Sequence, residues 1–123
     1  MTWYAASIII GLKPERDNAP FMAYENVVLI QADSFDDAER VAIELGKAES
    51  GVDEGLEVDG IPATRQFLGV RKVITVSNPD HVDPDEEKPG HSSEITYSLF
   101  KADSWEQLQS LAAGDAVTVE YLE

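Results

Sequence analysis

Six side chains in one short stretch, His81, Asp83, Asp85, Glu86, Glu87 and His91, are the densest source of chemistry in the sequence. Imidazoles and carboxylates together are ligands for divalent cations. Their spacing matches neither a calcium-binding EF-hand loop nor the two-histidine helix of a zinc protease. Pro84 and Pro89 interrupt the stretch, and nothing in it would hold ligands at fixed distances. The expectation is a solvated, flexible acidic loop over residues 78–93, with no metal.

Two further sets are candidates. Arg65, Arg71 and Lys72 form the only dense basic patch. Arg65 and Arg71 are an even interval apart, so on an unbroken strand they share a face. There they would hold an anion, or a carboxylate from Glu25 or Glu94; ordinary salt bridging is the plainer reading. Glu25, Glu94 and Tyr97 would do acid–base work if a sheet surface brought them together and raised one carboxyl pKa. No serine lies in a nucleophile-elbow pattern. Gly51, Gly55 and Gly60 do not make a phosphate loop or a dinucleotide fingerprint. The chain reads as non-enzymatic, without catalytic residues, metal or cofactor.

Composition narrows the partners. The 123 residues carry a formal charge of −15 and no cysteine. Thiol chemistry, disulfides and cysteine zinc sites are excluded. Acidic residues outnumber basic ones 9 to 4 in residues 1–50, 9 to 4 in 51–93 and 6 to 1 in 94–123. There is no basic arm, so nucleic acid and anionic membrane surfaces are disfavoured. No apolar run reaches membrane-spanning length, and the N-terminus does not resemble a signal peptide. The expected setting is the cytoplasm. Acidity serves solubility, or a basic protein partner.

The elements that must position any site are organised around Val27–Lys47. Val27-Val28-Leu29-Ile30 reads as a strand, which turns through Ala32-Asp33-Ser34 into an amphipathic helix. Ser34 is the N-cap, with Asp37 at the capping-box position and Asp36 favoured by the helix dipole. Phe35, Ala38, Val41, Ala42, Leu45 and Ala48 make one apolar face. Gly46 weakens the helix, which ends there or frays on to Ser50. Ile43 falls off the stripe and is a candidate for exposed contact.

Before this unit, Trp3–Ile10 is a strand apolar on both faces, which suits a central or well-covered position. It forms a hairpin with the strand Tyr24–Ala32. After it, Asp59-Gly60 signals a turn. Gln66–Ser77 is a third strand, with Leu68, Val70, Ile74 and Val76 on one face and Lys72 interrupting them. A bulge at Gly69 would reset that parity. Glu94–Lys101 is a fourth strand. Ser104 caps a second helix carrying Trp105, Leu108, Leu111 and Ala112, which Gly114 ends. Ala116–Leu122 is a fifth strand, with Val117, Val119 and Tyr121 inward.

The expected fold is α+β in a single domain: a mostly antiparallel five-stranded sheet with two helices on one face, in the order β-β-α-β-β-α-β. From the second strand onward this is the ferredoxin-like order with one extra strand in front. Alternatively, residues 102–123 are a helix–strand addition to a smaller domain.

Trp3-Tyr4-Ala5-Ala6 resembles the opening strand of a mainly bacterial family, domain of unknown function 4288. Glu25 through Lys47, with Ala38 and Ala42 on the packed face, resembles its second strand and helix. Phe67-Leu68-Gly69-Val70 and Glu94 through Phe100 resemble its later strands. The resemblance covers roughly residues 2–101; the loop 78–93 is longer, and residues 102–123 are an addition. It implies a domain boundary and no activity. Trp3, Tyr4, Phe67, Gly69 and Tyr97 would be shared core and turn positions, or the lining of a groove. The functional expectation is a protein-binding module with a basic partner or one that forms a homo-oligomer. The alternative is a small-molecule site or weak hydrolase on an open sheet face.

Overall fold

The computed structural model describes residues 2–16, 20–51, 55–76 and 90–123. The elements are β1 (Thr2–Pro14), β2 (Phe21–Ala32), α1 (Phe35–Ala48), β3 (Glu57–Val58), β4 (Ile61–Thr75), β5 (Glu94–Ala102), α2 (Trp105–Ala113) and β6 (Glu120–Tyr121). They build an α+β fold on one antiparallel sheet of six strands, in the order β3-β4-β1-β2-β5-β6. This differs from the ferredoxin-like order. β1, expected in front, lies between β2 and β4, where a ferredoxin-like unit would place a later strand.

β1 takes the centre because both of its faces are apolar. Tyr4 through Ile10 are all buried, and Ile8, Ile9 and Ile10 almost completely so. Replacing one of these isoleucines by alanine would cost about 2–5 kcal/mol. β1 pairs with β2 from Thr2↔Ala32 to Leu12↔Met22, as the expected hairpin requires. The short β3 is joined to β4 by Asp59 and Gly60, both at positive φ (51° and 78°), the geometry of a tight hairpin turn.

The two helices use different parities of β1. Tyr4, Ala6, Ile8 and Ile10 form one cluster with Val28, Ile30, Ala38 and Ala42, on which α1 packs. Ile9 belongs to a second cluster with Ala23, Leu108, Leu111 and Ala112, on which α2 packs. A Cβ on Gly11 would meet the Trp105 ring of α2 at 2.5 Å, whereas one on Gly46 of α1 would meet Ile8 at 3.0 Å. Side chains alternate across a strand, so α1 and α2 cover opposite faces of the sheet. The expectation of both helices on one face is corrected accordingly. A centre strand with two apolar faces needs cover on each.

The caps are as expected. Ser34 Oγ accepts from Asp37 N–H at 3.1 Å, and Ser104 Oγ from Gln107 N–H at 3.2 Å. Each is worth about 1 kcal/mol. Gly114 ends α2 at φ 83°. α1 runs past Gly46 to Ala48, because Gly46 is a packing position: the Phe67 ring lies where its Cβ would be. Phe35, expected on the packed face, is exposed at the start of α1.

β4 pairs with β1 through two register shifts, at Ser7/Ile8 and at Ile9/Ile10, on either side of Gly69. The expected common face of Leu68, Val70 and Ile74 is therefore broken. Val70 and Val73 join the α1 side, while Leu68 joins the α2 side. Lys72, opposite Ser7, is kept off the α1 side. The last strand is shorter than expected. Val117 and Val119 pack beside α2 outside any strand, and Tyr121 is exposed at 68%.

Candidate functional site

α1 ends before the sheet does. Beyond its last turn, the α1 side of the sheet forms a concavity of about 510 Å³ lined by Ile10, Tyr24, Asn26, Glu49, Arg65, Glu94 and Tyr97. Strand register brings most of these together. Ile10 is opposite Tyr24, Asn26 is opposite Tyr97, and Glu94 is opposite Val28. Arg65 enters from β4, opposite Leu12.

Glu49 is the C-cap of α1. The segment after it is fastened to the outer edge of β4: Phe67 N–H donates to Ser50 Oγ at 2.7 Å, and Gly51 and Arg65 exchange backbone bonds of 3.0 and 3.2 Å. This holds Glu49 over the concavity, where Asn26 Nδ2 donates to its Oε2 at 3.4 Å.

The electrostatics of the site favour positive charge. Burial holds the Glu49 carboxyl above its ordinary range, and the neighbouring Glu94 charge pushes the same way; Arg65 opposes both. The C-terminal end of α1 adds the negative end of the helix dipole. Tyr24 and Tyr97 form an edge-on ring pair, with centroids 5.9 Å apart at 63°. Tyr97 Oη donates to Glu123 Oε2 at 2.7 Å, and this bond and the Glu123 charge raise the phenol pKa. Two carboxylates beside aromatic rings can hold an ammonium or guanidinium group by charge and by the ring faces.

The sets suggested by sequence are divided by the fold. Arg65 and Arg71 do not share a face: the bulges of β4 send Arg71 to the α2 side, where its guanidinium meets Glu25 at 2.9 Å. Glu25 is thus separated from Glu94 and Tyr97, which line the same concavity. Of the groove set, Tyr97 lines the concavity, Tyr4 and Phe67 belong to the α1 core, and Gly69 lies under Ala112 of α2. Of the histidine–carboxylate stretch, His81, Asp83, Asp85, Glu86 and Glu87 lie outside the described residues. His91 Nδ1 accepts from Gln31 N–H at 3.0 Å, and Ser92 and Ser93 exchange backbone bonds with Leu29. Among the described residues, no three His, Asp or Glu side chains are grouped as metal ligands. None of the described helices is long and apolar enough to cross a membrane.

Sequence reasoning missed Tyr24, Asn26 and Glu49. Asn26 did carry a signal, as the one polar residue in the stripe Tyr24, Asn26, Val28, Ile30. Glu49 carried none, since its role depends on where the helix ends over the sheet.

No curated protein and no solved structure matches the chain. One family model does, over residues 3–95, a span that takes in β1 from its second residue, β2 through β4 and the start of β5. With that span, the central hairpin, α1 and most of the concavity's lining, the chain belongs to the family described as domain of unknown function DUF4288.

Proposed function

We propose that the chain is a non-enzymatic binding module for a basic protein, and that the concavity at the end of α1 receives a lysine or arginine side chain of that partner. The observation that carries this reading is the convergence of Glu49 and Glu94 beside the Tyr24–Tyr97 pair. The overall charge of −15 supports it by steering a basic partner toward the surface. Burial and the Glu94 charge raise the Glu49 pKa against the opposing Arg65, and an entering cation would add to the counter-charge that Arg65 supplies.

The test is binding of an oligoarginine peptide to the wild type, to Glu49→Gln/Glu94→Gln and to the control Glu39→Gln/Asp115→Asn. Both variants remove two charges, but the control does so away from the concavity. The expected result is a loss of affinity in the first variant well beyond that in the control, and a fall of affinity with salt. Equal losses in the two variants would show binding by net charge alone and defeat the proposal.

A second reading has its own support. A volume of about 510 Å³ suits a small molecule, and a carboxyl with a raised pKa is a candidate acid–base group. Under this reading the concavity holds a free polyamine or similar cation, and Glu49 would serve as acid or base in a weak hydrolase. Saturable binding of spermidine, lost in Glu49→Gln/Glu94→Gln and with oligoarginine excluded, would favour it.

A further inference from the structure

Among the described residues, the outer edge of β5 is closed over only half of its length. β6 pairs with Phe100 and Lys101, and the C-terminal residues bond to Leu99: Leu99 N–H donates to Glu123 O at 2.8 Å, and Leu122 N–H to Leu99 O at 2.8 Å. From Glu94 to Ser98, no described strand covers that edge. Backbone groups alternate sides along a strand. Leu99 turns its N–H and C=O outward, so Tyr97, two residues earlier, does the same.

The opposite edge of the sheet is built differently. Both edges carry register shifts, two in β4 and one in β5 where Ile95 is the extra residue between Glu94 and Thr96, but β4 also exposes Arg71 and Lys72, cations that blunt an edge against pairing. The open half of β5 has no lysine or arginine, and it exposes Ile95 and Tyr97, each at 44%. Its charged neighbours, Glu94 and Glu123, are acidic. Glu94 and Tyr97 also line the concavity, so the open edge and the binding site are contiguous.

We infer that an extended segment of the basic partner adds as a strand to the Glu94–Ser98 edge, and that its alternate side chains deliver the cation to Glu49 and Glu94. This rests on the proposed function and names the mode of binding. Main-chain bonds at Tyr97 supply register, the acidic rim selects a basic sequence, and alternation of side chains puts every second residue on the concave side. A second copy of this chain fits less well, because it would bring Glu94 and Glu123 toward the same residues of its mate.

The probe is a capped octapeptide of alternating lysine and valine, compared with the same peptide N-methylated on the residues of one edge. N-methylation keeps the charge and removes the main-chain donors. The expected result is about a tenfold loss of affinity on N-methylation, from the lost donor to Tyr97 C=O together with the bulk of the methyl groups against the edge. The Tyr97 amide should also gain hydrogen-exchange protection when the unmodified peptide is bound. Equal affinity of both peptides, with binding still sensitive to Glu49→Gln/Glu94→Gln, would overturn strand addition and leave the proposed function standing. Failure of both peptides and of oligoarginine to bind would overturn both. Protection of the Tyr97 amide that rises with protein concentration in the absence of peptide would instead assign the edge to self-pairing.

Discussion

The ring of Phe67 occupies the space that a Cβ on Gly46 would need: the two would lie 2.3 Å apart. Gly46 is thus the point at which α1 comes down onto β4. Alanine is about 1 kcal/mol better than glycine in a helix interior. Here the overpacking outweighs that gain, so Gly46→Ala should destabilise the chain by about 1–3 kcal/mol. Urea unfolding of Gly46→Ala, and of Gly46→Ala with Phe67→Leu, measures it. The smaller side chain at position 67 should recover part of the loss. A stabilised Gly46→Ala would mean that propensity alone governs the position.

Glu49 should make stability depend on pH in an unusual direction for a carboxylate. Its folded pKa is raised above 4.5, so the folded chain binds the proton more tightly than the unfolded chain. The resulting stabilisation is fully present below the unfolded value and is lost as pH rises through the raised folded value. Glu49→Gln keeps an acceptor for Asn26 but does not ionise. The variant should therefore gain on the wild type as pH rises from below 4.5 toward neutrality, with the difference smallest in acid. Denaturation midpoints across that range check the sign, and carboxyl carbon shifts follow Glu49 directly. In Glu94→Gln, one of its causes is removed and the Glu49 titration should move back toward 4.5.

Tyr97 should be a late-titrating tyrosine. Its hydroxyl donates to Glu123 at 2.7 Å, which holds the phenol above its ordinary value of 10.0. Any stability that this bond confers is present below that value and lost as pH rises through the raised one. Phenolate absorbance should show a component above the ordinary range that disappears in Tyr97→Phe. In Glu123→Gln the same component should shift down, since the charge that opposes the phenolate is gone. An unchanged titration in Glu123→Gln would break the assignment of that bond.

What the sequence disclosed was local. Ser34 and Ser104 are recognisable because an N-cap is a bond between a side chain and a backbone group three residues on. Asp59-Gly60 is recognisable because both residues tolerate the left-handed conformation that the turn requires. The two apolar faces of Trp3–Ile10 revealed a well-covered strand, but not which helix would take which face; that depends on contacts distant in sequence. Arg65 and Arg71 show the limit most clearly. Even spacing puts them together only on an unbroken strand, and two bulges divide them. The concavity was partly visible in Glu94 and Tyr97. It was incomplete without Glu49, whose position is set by the end of α1 and by the clasp of Ser50 and Gly51 on β4.

Placement of the helices on opposite faces makes a prediction about energies. Gly11 of β1 lies under Trp105 of α2, where an added Cβ would be 2.5 Å from the ring, and Gly46 of α1 lies over Phe67 of β4. Gly11→Ala should disturb Trp105, whose ring also lies 5.5 Å from Lys13 Nζ. Its tryptophan fluorescence should change, and stability should fall by about 1–3 kcal/mol. The overpacked side chains belong to separate clusters, so the losses in Gly11→Ala and Gly46→Ala should add to within about 0.5 kcal/mol. If both helices shared one face, the two alanines would strain the same packing and the double variant would depart from the sum. A double-mutant cycle by urea unfolding therefore tests the layer order without a further structure, and the fluorescence of Gly46→Ala, unchanged at Trp105, provides the control.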